Sequence, residues 1–453
     1  MSVTNPYNSK YCGPCKQPCP QQPNEAGSVS PWPFAVGTNT NIGSNVNTNY
    51  LWAQQHPMMG QMNGIPQQMP CGPCNPNMMQ PNMPPQMMPM MNPNMMQMQQ
   101  QPMYVLPYYG RNNRVRTWKP MGLVSNKANL ATNVDLNVVN PWGIAIYNQQ
   151  LWVNNNMTDT LTNYDLFGNQ MLAPVNIRNP KHNVSYPSGI IVNCSSDFHM
   201  TGPTSGVSSK PSKFLIVTEH GAVLGYNPGI DTVNTEVLIN SALTGNVTVY
   251  RGIAMLNGKI YCADFFRGEI KVFSSTFAPV SEAGKYRFFD MYNEQPIPIE
   301  YGPSNIVNID GLLYVTYCLK DYNVNIHHNT GLGTGFVSVY DEYGNFIKRL
   351  ASRGELNCPW AIVKGPIECG FPNDSLLVGN TGDGRILVFD KQGNYYGPML
   401  SQNAQPLEID GLWGLATYYS GATNFIYFTA SSNEKTEGLI GRLETSDIIT
   451  VPR

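Results

Sequence analysis

Two identical Cys-Gly-Pro-Cys tetrapeptides lie in the first part of the chain, at Cys12–Cys15 and Cys71–Cys74. Two thiols at this spacing can act as a redox centre, hold a soft metal ion or form cross-links. The redox role requires a helix that starts at the first cysteine after a buried strand, and the flanking residues of both copies provide neither. Four thiolates could together hold one zinc ion, and thiolates with methionine could bind copper(I). We expect instead cross-links between chains during assembly, which persist in an oxidising setting or in a particle.

Four large side chains stand at equivalent places farther along the chain: Trp142, Arg251, Trp360 and Trp413. Around the mouth of a channel, three tryptophans could stack on sugar rings or clamp a peptide. The alternative is that they brace the starts of strands and pack between repeats. These four are therefore the candidate binding residues of the chain.

These residues belong to a short sequence motif, called the phrase below. It occurs six times, at spacings of 46 to 63 residues. Its copies are Asn140–Ala145, Pro187–Ile190, Arg251–Ala254, Pro303–Ile306, Pro359–Ile362 and Gly411–Ala416. A repeat of this length, rich in strand-forming residues, is typical of a β-propeller in which each repeat is one four-stranded blade. We therefore predict an all-β fold, a six-bladed β-propeller over residues 116–453.

Turn sequences between the apolar runs support this prediction. Asn257-Gly258 and Asp310-Gly311 separate strand-like runs, and such dipeptides favour type I′ hairpins because both positions need positive φ. An aromatic-Asp-x-x-Gly-Asn sequence also recurs at one place in the repeat. Its copies are Tyr164–Asn169, Tyr340–Asn345 and Phe389–Asn394.

A propeller ring must also be closed, because an open ring would expose a hydrophobic face and a sheet edge. Strand-like segments precede the first repeat at Met121–Val124 and Val134–Val139, and another follows the last repeat at Ser446–Val451. The sequence does not decide which of them completes the last blade. We expect most of the ring cysteines to be buried as small hydrophobic side chains; they are Cys194, Cys262, Cys318, Cys358 and Cys369.

Residues 1–115 differ sharply in composition from the ring. Residues 1–110 contain three charged side chains, 19 of the 37 prolines and 16 of the 23 methionines. Proline at this density removes backbone donors and disfavours a compact core, whereas methionine adapts to many apolar surfaces. We predict a long disordered N-terminal arm that binds protein partners or other copies of the chain.

Charge and hydropathy exclude several classes of function. The formal net charge is −2 and 12% of the residues are charged, whereas a nucleic-acid-binding protein normally carries a marked basic excess. No apolar stretch follows Met1, and the longest apolar runs are far shorter than the roughly 20 residues that span a bilayer. We expect no nucleic acid, no membrane span and no signal peptide.

An enzymatic alternative would need a cation or acid–base residues. Propeller enzymes of the lactonase or lyase type hold a divalent cation on the axis, and the residues here that follow second strands are Asn154, Asn155, Asp264 and Asn380. No glutamate can be assigned to this set, and polar residues at such positions are ordinary turn formers. The pair His327-His328, in the Lys320–Gly335 insertion, could also bind a metal. We expect no cofactor, with calcium or zinc as the alternative if the chain is an enzyme.

The Asn140–Ala145 phrase, the upstream Leu123–Asn126 and the later Leu412–Ala416 resemble a family of uncharacterised putative β-propellers associated with the PEP-CTERM sorting system. That family is distantly similar to NHL-repeat propellers. The resemblance spans residues 120–444 and implies a six-bladed fold, but no activity. Similar propellers are encoded by giant DNA viruses, which fits the lack of a bacterial secretion signal and sorting anchor.

We therefore expect a non-enzymatic structural or interaction protein, located in a virion or in the host cytoplasm. The alternatives are a propeller hydrolase or lactonase with an axial divalent cation, and a propeller that binds a glycan.

Overall fold

The computed structural model describes residues 11–12, 17–18, 114–178, 184–202, 209–241, 247–321, 327–366, 371, 374–419 and 424–450. Over these residues nearly all regular structure is β-strand, with a 3-10 turn at Tyr292–Glu294. None of the helices among them is long and apolar enough to cross a membrane.

Six antiparallel sheets follow one another along the chain as the blades of a six-bladed β-propeller. Blade 1 consists of Pro141–Tyr147, Gln150–Asn155, Thr160–Asp165 and Gln170–Asn176. Blade 2 consists of Pro187–Val192, Phe214–Thr218, Ala222–Tyr226 and Glu236–Asn240. Blade 3 consists of Tyr250–Leu256, Lys259–Asp264 and Glu269–Ser274. Blade 4 consists of Tyr301–Ile309, Leu312–Leu319, Gly335–Tyr340 and Phe346–Ser352. Blade 5 consists of Pro359–Lys364, Leu376–Asn380, Ile386–Phe389 and Tyr395–Pro398. Blade 6 consists of Leu412–Tyr419, Asn424–Ala430, Leu439–Thr450 and Arg114–Ser125.

The predicted six-bladed propeller is thus confirmed, and each copy of the repeated phrase lies in or at the start of the innermost strand of its blade. Shorter strands accompany the blades at Asn133–Val134, His199–Met200, Lys210–Pro211 and Leu400–Ser401. Within the region predicted as an arm, Tyr11–Cys12 pairs with Gln17–Pro18. Of the candidate arm cysteines, Cys15, Cys71 and Cys74 lie outside the described residues.

The N-terminal strand closes the ring. Arg114–Ser125 is the outermost strand of blade 6 and runs antiparallel to Leu439–Thr450, from the Ser125–Leu439 pair to the Arg114–Thr450 pair. Of the candidate closing segments, Met121–Val124 therefore completes the last blade. This pairing leaves neither terminal strand of the ring without a neighbour, as closure of a propeller requires.

The hydrophobic core lies between the blades. Among the described residues, six clusters of buried side chains lie one at each interface between neighbouring blades, and a smaller seventh cluster surrounds the Cys318–Cys358 pair. At the interface of blades 1 and 2, for example, the rings of Trp152 and Phe214 pack with centroids 4.5 Å apart. Since each blade is covered on both faces, its central strands are almost wholly buried, and every residue of Phe214–Thr218 is buried.

The predicted turns form as expected. Asn257 and Gly258 have φ of 47° and 69°, and Asp310 and Gly311 have 52° and 84°, so both dipeptides adopt the left-handed pair that a type I′ hairpin needs. The aromatic-Asp-x-x-Gly-Asn copies all connect the third and fourth strands of a blade. In the first, the Asp165 carboxylate accepts the backbone N–H groups of Phe167 and Asn169 at 2.8 and 2.9 Å.

Cys318 and Cys358 are buried, as expected of the ring cysteines, but they are also disulfide-bonded. Cys318, in the second strand of blade 4, forms a disulfide with Cys358, which precedes the innermost strand of blade 5, with a Cα–Cα distance of 4.6 Å. The two are 40 residues apart in sequence, so spacing alone could not pair them. Cys262 is a buried free thiol, as expected.

Candidate functional site at the channel mouth

The innermost strands approach one another very closely where they begin. A β-carbon on Gly143 would lie 2.4 Å from the carbonyl oxygen of Ser188, and one on Gly414 would lie 2.5 Å from that of Trp142. Both distances are too short for any side chain, which explains why glycine follows tryptophan in the two strongest copies of the phrase. We call this end of the ring, where the innermost strands begin, the upper face.

At the upper face the structure brings the three candidate tryptophans together. The rings of Trp142 and Trp413 stack with centroids 3.9 Å apart, and Trp360 meets each of them edge-on at 6.3 Å. The three residues are 1%, 5% and 6% exposed. The aromatic surface therefore faces the other tryptophans rather than solvent, and a ligand reaches it only if these rings move.

Asn140 joins the two stacked tryptophans. Its side-chain oxygen accepts the indole N–H of Trp142 and that of Trp413, each at 3.1 Å, and its amide donates to the side-chain oxygen of Asn156 at 2.9 Å. Asn140 has φ of 51°, a conformation that asparagine tolerates better than most residues. One fully buried side chain thus links the first blade to the last.

Arg251, the fourth candidate, packs beside the tryptophans and is 3% exposed. Its guanidinium carbon lies 3.8 Å from the ring centroid of Phe265 and 5.9 Å from that of Trp142. Its Nε is 3.5 Å from a carboxylate oxygen of Glu219. A guanidinium between aromatic rings and a carboxylate has a fixed orientation, since each contact constrains its plane.

His328 lies close to the axis of the ring. The Nη1 of Arg251, on blade 3, donates to its Nδ1 at 3.2 Å, and its ring meets that of Trp413, on blade 6, edge-on at 5.8 Å. Blades 3 and 6 are opposite each other in a ring of six, so a side chain that touches both is near the centre. The long connection between the second and third strands of blade 4 therefore reaches the channel mouth.

Two further basic residues, His327 and Lys435, act on His328 through their charges. Burial, followed by the charges of Arg251 and Lys435, lowers the pKa of His328 well below its usual value. Burial and then Lys435 lower the pKa of His327, and Glu219 opposes this change. Burial lowers the pKa of Lys435, with Glu219 opposing and Arg251 adding to the effect. The Lys435 side chain is exposed to solvent.

The residues considered for an axial cation serve to hold neighbouring segments. The side-chain amide of Asn154 donates to the carbonyl oxygens of Ser188 and Gly189 in blade 2. The Oδ1 of Asn380 accepts the backbone N–H of Asn357 at 3.1 Å. Within the described residues there is no group of three or more His, Cys, Asp or Glu side chains that could hold a metal ion.

Asp264 has the same kind of role as Asn380. Its Oδ1 accepts the backbone N–H of Val249 and that of Arg267, each at 3.2 Å, and its side chain is fully buried. Burial raises the pKa of Asp264 to about 6, against the lowering effect of these two bonds.

A second feature of the surface is the segment that follows the third strand of blade 3. It crosses to blade 4, where the backbone N–H of Tyr286 donates to the carbonyl oxygen of Tyr343 at 2.6 Å and Asp290 forms a buried ion pair with Arg349. The segment presents four large apolar side chains to solvent: Phe289, Met291, Tyr292 and Ile299, with exposures of 62%, 63%, 43% and 86%. Exposed apolar side chains in such number are typical of interaction surfaces.

No protein-family model matches the sequence. Two proteins of Acanthamoeba polyphaga mimivirus are similar over most of their length. The chain is 47% identical over 341 residues to "Uncharacterized protein R648", covering 75% of this chain and 84% of that one. It is 45% identical over 341 residues to "Uncharacterized protein L690", covering 75% and 89%. The chain belongs to the same family as these two mimivirus proteins.

A third protein of the same virus, "Uncharacterized protein R640", is 33% identical over 262 residues, which cover 58% of this chain and 48% of that one. The predicted likeness to giant-virus proteins is confirmed by these relatives, whereas the resemblance to PEP-CTERM-associated propellers stays a prediction.

Solved structures resemble this chain more distantly. A streptogramin B lyase aligns with a TM-score of 0.41 and 12% identity, covering 73% of this chain and 98% of that one. A glucose dehydrogenase aligns with a TM-score of 0.41 and 11% identity, covering 72% and 100%. At these values the activities of those proteins carry no inference for this chain.

Proposed function

We propose that this mimivirus-family propeller is a non-enzymatic structural protein of a giant-virus particle, in which the ring is a rigid scaffold and residues 1–115 link it to other proteins or copies. The observation that carries the proposal is the disulfide between Cys318 and Cys358. Disulfides are rare in proteins that remain in a reducing cytosol and are common on virion and cell surfaces.

The channel mouth supports a scaffold in preference to an enzyme. The stacked tryptophans are buried against each other, and Trp413 also packs against His328, so they present no open aromatic surface to a substrate. Asp264 and Asn380, two of the residues considered as cation ligands, are bonded to the backbone of connecting segments. Other polar interactions at the mouth, those of Asn140 with Trp413 and of Arg251 with Glu219, connect blades to one another.

The exposed segment of blade 3 supports an interaction role. The ligand that fits it is an uncharged, methionine-rich segment from another copy of the chain, because methionine side chains adapt to irregular apolar surfaces. Residues 58–103 have this chemistry, since they contain 15 methionines and no Asp, Glu, Lys or Arg. Blade 3 lies opposite blade 6, where the arm joins the ring, which favours an arm from a neighbouring copy.

The proposal is tested on purified particles of the source virus, compared with the soluble fraction of infected cells. We expect the protein in the particles, with high-mass species on non-reducing gels that collapse on reduction, and a linked Cys318–Cys358 peptide by mass spectrometry. A protein confined to the soluble fraction with both cysteines reduced would overturn the virion assignment.

Self-association is tested separately with the full chain under reducing conditions. The double variant Phe289→Ser/Met291→Ser should sediment as smaller species than the wild-type chain. The matched control is Leu332→Ser, which removes a side chain of similar exposure, 70%, from a different part of the surface. Equal sedimentation of wild type and double variant would exclude the blade 3 segment as the docking surface.

A further inference from the structure

The disulfide between Cys318 and Cys358 lies at the junction of blades 4 and 5. Cys318 is near the end of the second strand of blade 4, and the carbonyl oxygen of Cys358 accepts the backbone N–H of Thr381 in blade 5 at 3.0 Å. Both cysteines are buried in a cluster with Val249 and Phe265, which flank strands of blade 3. The disulfide is therefore packed among residues of three blades.

A backbone connection leads from Cys318 to His328. Two residues after this cysteine, Lys320 pairs with His328 in an antiparallel bridge. In the same bridge the N–H of Asn329 donates to the carbonyl oxygen of Leu319 at 2.9 Å. Among the described residues, the backbone pairing that supports His328 thus begins at the residue that follows Cys318.

A second connection passes through side chains. The ring of Phe265, which packs in one cluster with the two cysteines, lies 3.8 Å from the guanidinium carbon of Arg251. Arg251 in turn donates to Nδ1 of His328 at 3.2 Å. The disulfide is therefore linked to both partners of the hydrogen bond between Arg251 and His328, to one by packing and to the other by the backbone.

Reduction must change the packing at this place. The Cα atoms of the two cysteines are 4.6 Å apart, near the short end of the range for disulfides. Unbonded heavy atoms prefer separations of about 3.5–4 Å, whereas bonded sulfur atoms are about 2 Å apart. In a closely packed interior the extra space comes from movement of neighbouring groups. Here these groups include the ring of Phe265 and the strand that leads to Lys320.

We propose that the oxidation state of Cys318 and Cys358 controls how His328 is held at the channel mouth. The disulfide keeps the contact between Arg251 and His328, and the dithiol loosens it. The disulfide forms by exchange with a small disulfide such as oxidised glutathione: one cysteine thiolate attacks it, and the other cysteine then displaces the bound thiol. Two small thiols leave and carry away the two electrons and two protons.

The oxidised form should persist once it has formed. The two cysteines are 0% and 2% exposed, so that a reducing thiol reaches them slowly in the folded ring. This inference goes beyond the structural role proposed above, because it adds a redox control of the channel mouth.

Hydrogen–deuterium exchange of the full chain, in its oxidised form and after complete reduction with dithiothreitol, tests this control. We expect the amide of Asn329 to exchange faster by roughly tenfold or more in the reduced protein. The amide of Ser274, which donates to Ala278 in blade 3 at 2.9 Å, should exchange equally in both forms. The proposal fails if exchange at Asn329 is the same in the two forms. It also fails if Ser274 is accelerated as much as Asn329, since the whole ring would then be loosened.

Two variants assign the effect to this disulfide. Cys358→Ser leaves an unbonded side chain of similar size, and it should exchange at Asn329 like the reduced wild type with or without dithiothreitol. Cys262→Ala removes the buried free thiol and, as the matched control, should keep the difference between the two forms. A Cys358→Ser protein that exchanges like the oxidised wild type would contradict the proposal.

Histidine NMR spectra provide a second measurement at the channel mouth itself. Burial and then the charge of Arg251 lower the pKa of His328, so this pKa should lie closer to its usual value in the reduced protein. A pKa of His328 that is the same in both forms would also contradict the proposal. These experiments use purified protein, so their outcomes do not depend on whether the protein is a virion component.

Discussion

Arg251 donates a hydrogen bond to Nδ1 of His328 at 3.2 Å, so this nitrogen carries no proton and the imidazole is neutral in the folded ring. Arginine has no deprotonated form near neutral pH. The contact between an innermost strand of blade 3 and the insertion of blade 4 therefore depends on the protonation state of one histidine.

Acidification should weaken this contact. Because the folded-state pKa of His328 is below its usual value, the unfolded chain binds the proton more readily, and the stabilisation is complete above about pH 6.5 and is lost as the pH falls. We expect the melting temperature of the wild type to fall more between pH 7.5 and 5 than that of His328→Gln. Equal pH dependence of the two proteins would show that His328 does not titrate in this range.

Asp264 should have the opposite pH dependence. Its pKa is raised to about 6, so its contribution to stability is greatest below about pH 4 and declines as the pH rises through 6. Asp264→Asn keeps an oxygen that can accept from Val249 and removes the buried charge, so it should be at least as stable as the wild type at pH 8. Asp264→Ala removes the acceptor and should be destabilised by about 1–3 kcal/mol, as measured by urea unfolding.

Replacement of Asn140 should be among the most harmful polar substitutions in the ring. Asn140→Ala leaves two buried indole N–H groups, those of Trp142 and Trp413, without their acceptor. We expect a loss of about 2–4 kcal/mol in the free energy of unfolding. Asn169→Ala, in an exposed outer turn, is the matched control and should cost less than about 1 kcal/mol. A similar cost for both variants would contradict the assignment of Asn140 as the link between blades 1 and 6.

Two truncations test how the ring is closed. Removal of residues 1–110 should leave a ring that unfolds cooperatively, because the closing strand starts at Arg114. Removal of residues 1–125 takes away the outermost strand of blade 6, including the fully buried Trp118, and should abolish cooperative unfolding by circular dichroism. A cooperative transition in the shorter protein would mean that another segment can replace the closing strand.

The sequence predicts the blades well because the same close strand contacts and tight turns recur in successive blades. The glycine in the phrase is needed wherever neighbouring innermost strands nearly touch, and Asn-Gly or Asp-Gly is favoured wherever a tight hairpin turns. Both appear at fixed places in the repeat, so their spacing reveals the architecture. Turns such as Asn148-Gln149, with φ of 48° and 59°, perform the same role without glycine and give no such signal.

The residues of the channel mouth were predicted only in part, because some of them do not occupy repeated positions. Trp142, Trp360, Trp413 and Arg251 occupy repeated positions, and the structure brings them together. Glu219 and His328 come from connections of different length in two blades, and no repeated sequence relates them. The disulfide likewise joins two different positions of the repeat, Cys318 and Cys358, so neither residue marks the other.

The pairing of Arg114–Ser125 with Leu439–Thr450 joins the part of the ring that the ribosome makes first to the part that it makes last. The closing strand must therefore remain without its partner through the synthesis of five blades. A chain that stops early retains an unpaired strand edge, which is open to aggregation and to quality control in the cell. The circular fold thus serves as a test of completeness, since it can form only when translation has reached the end of blade 6.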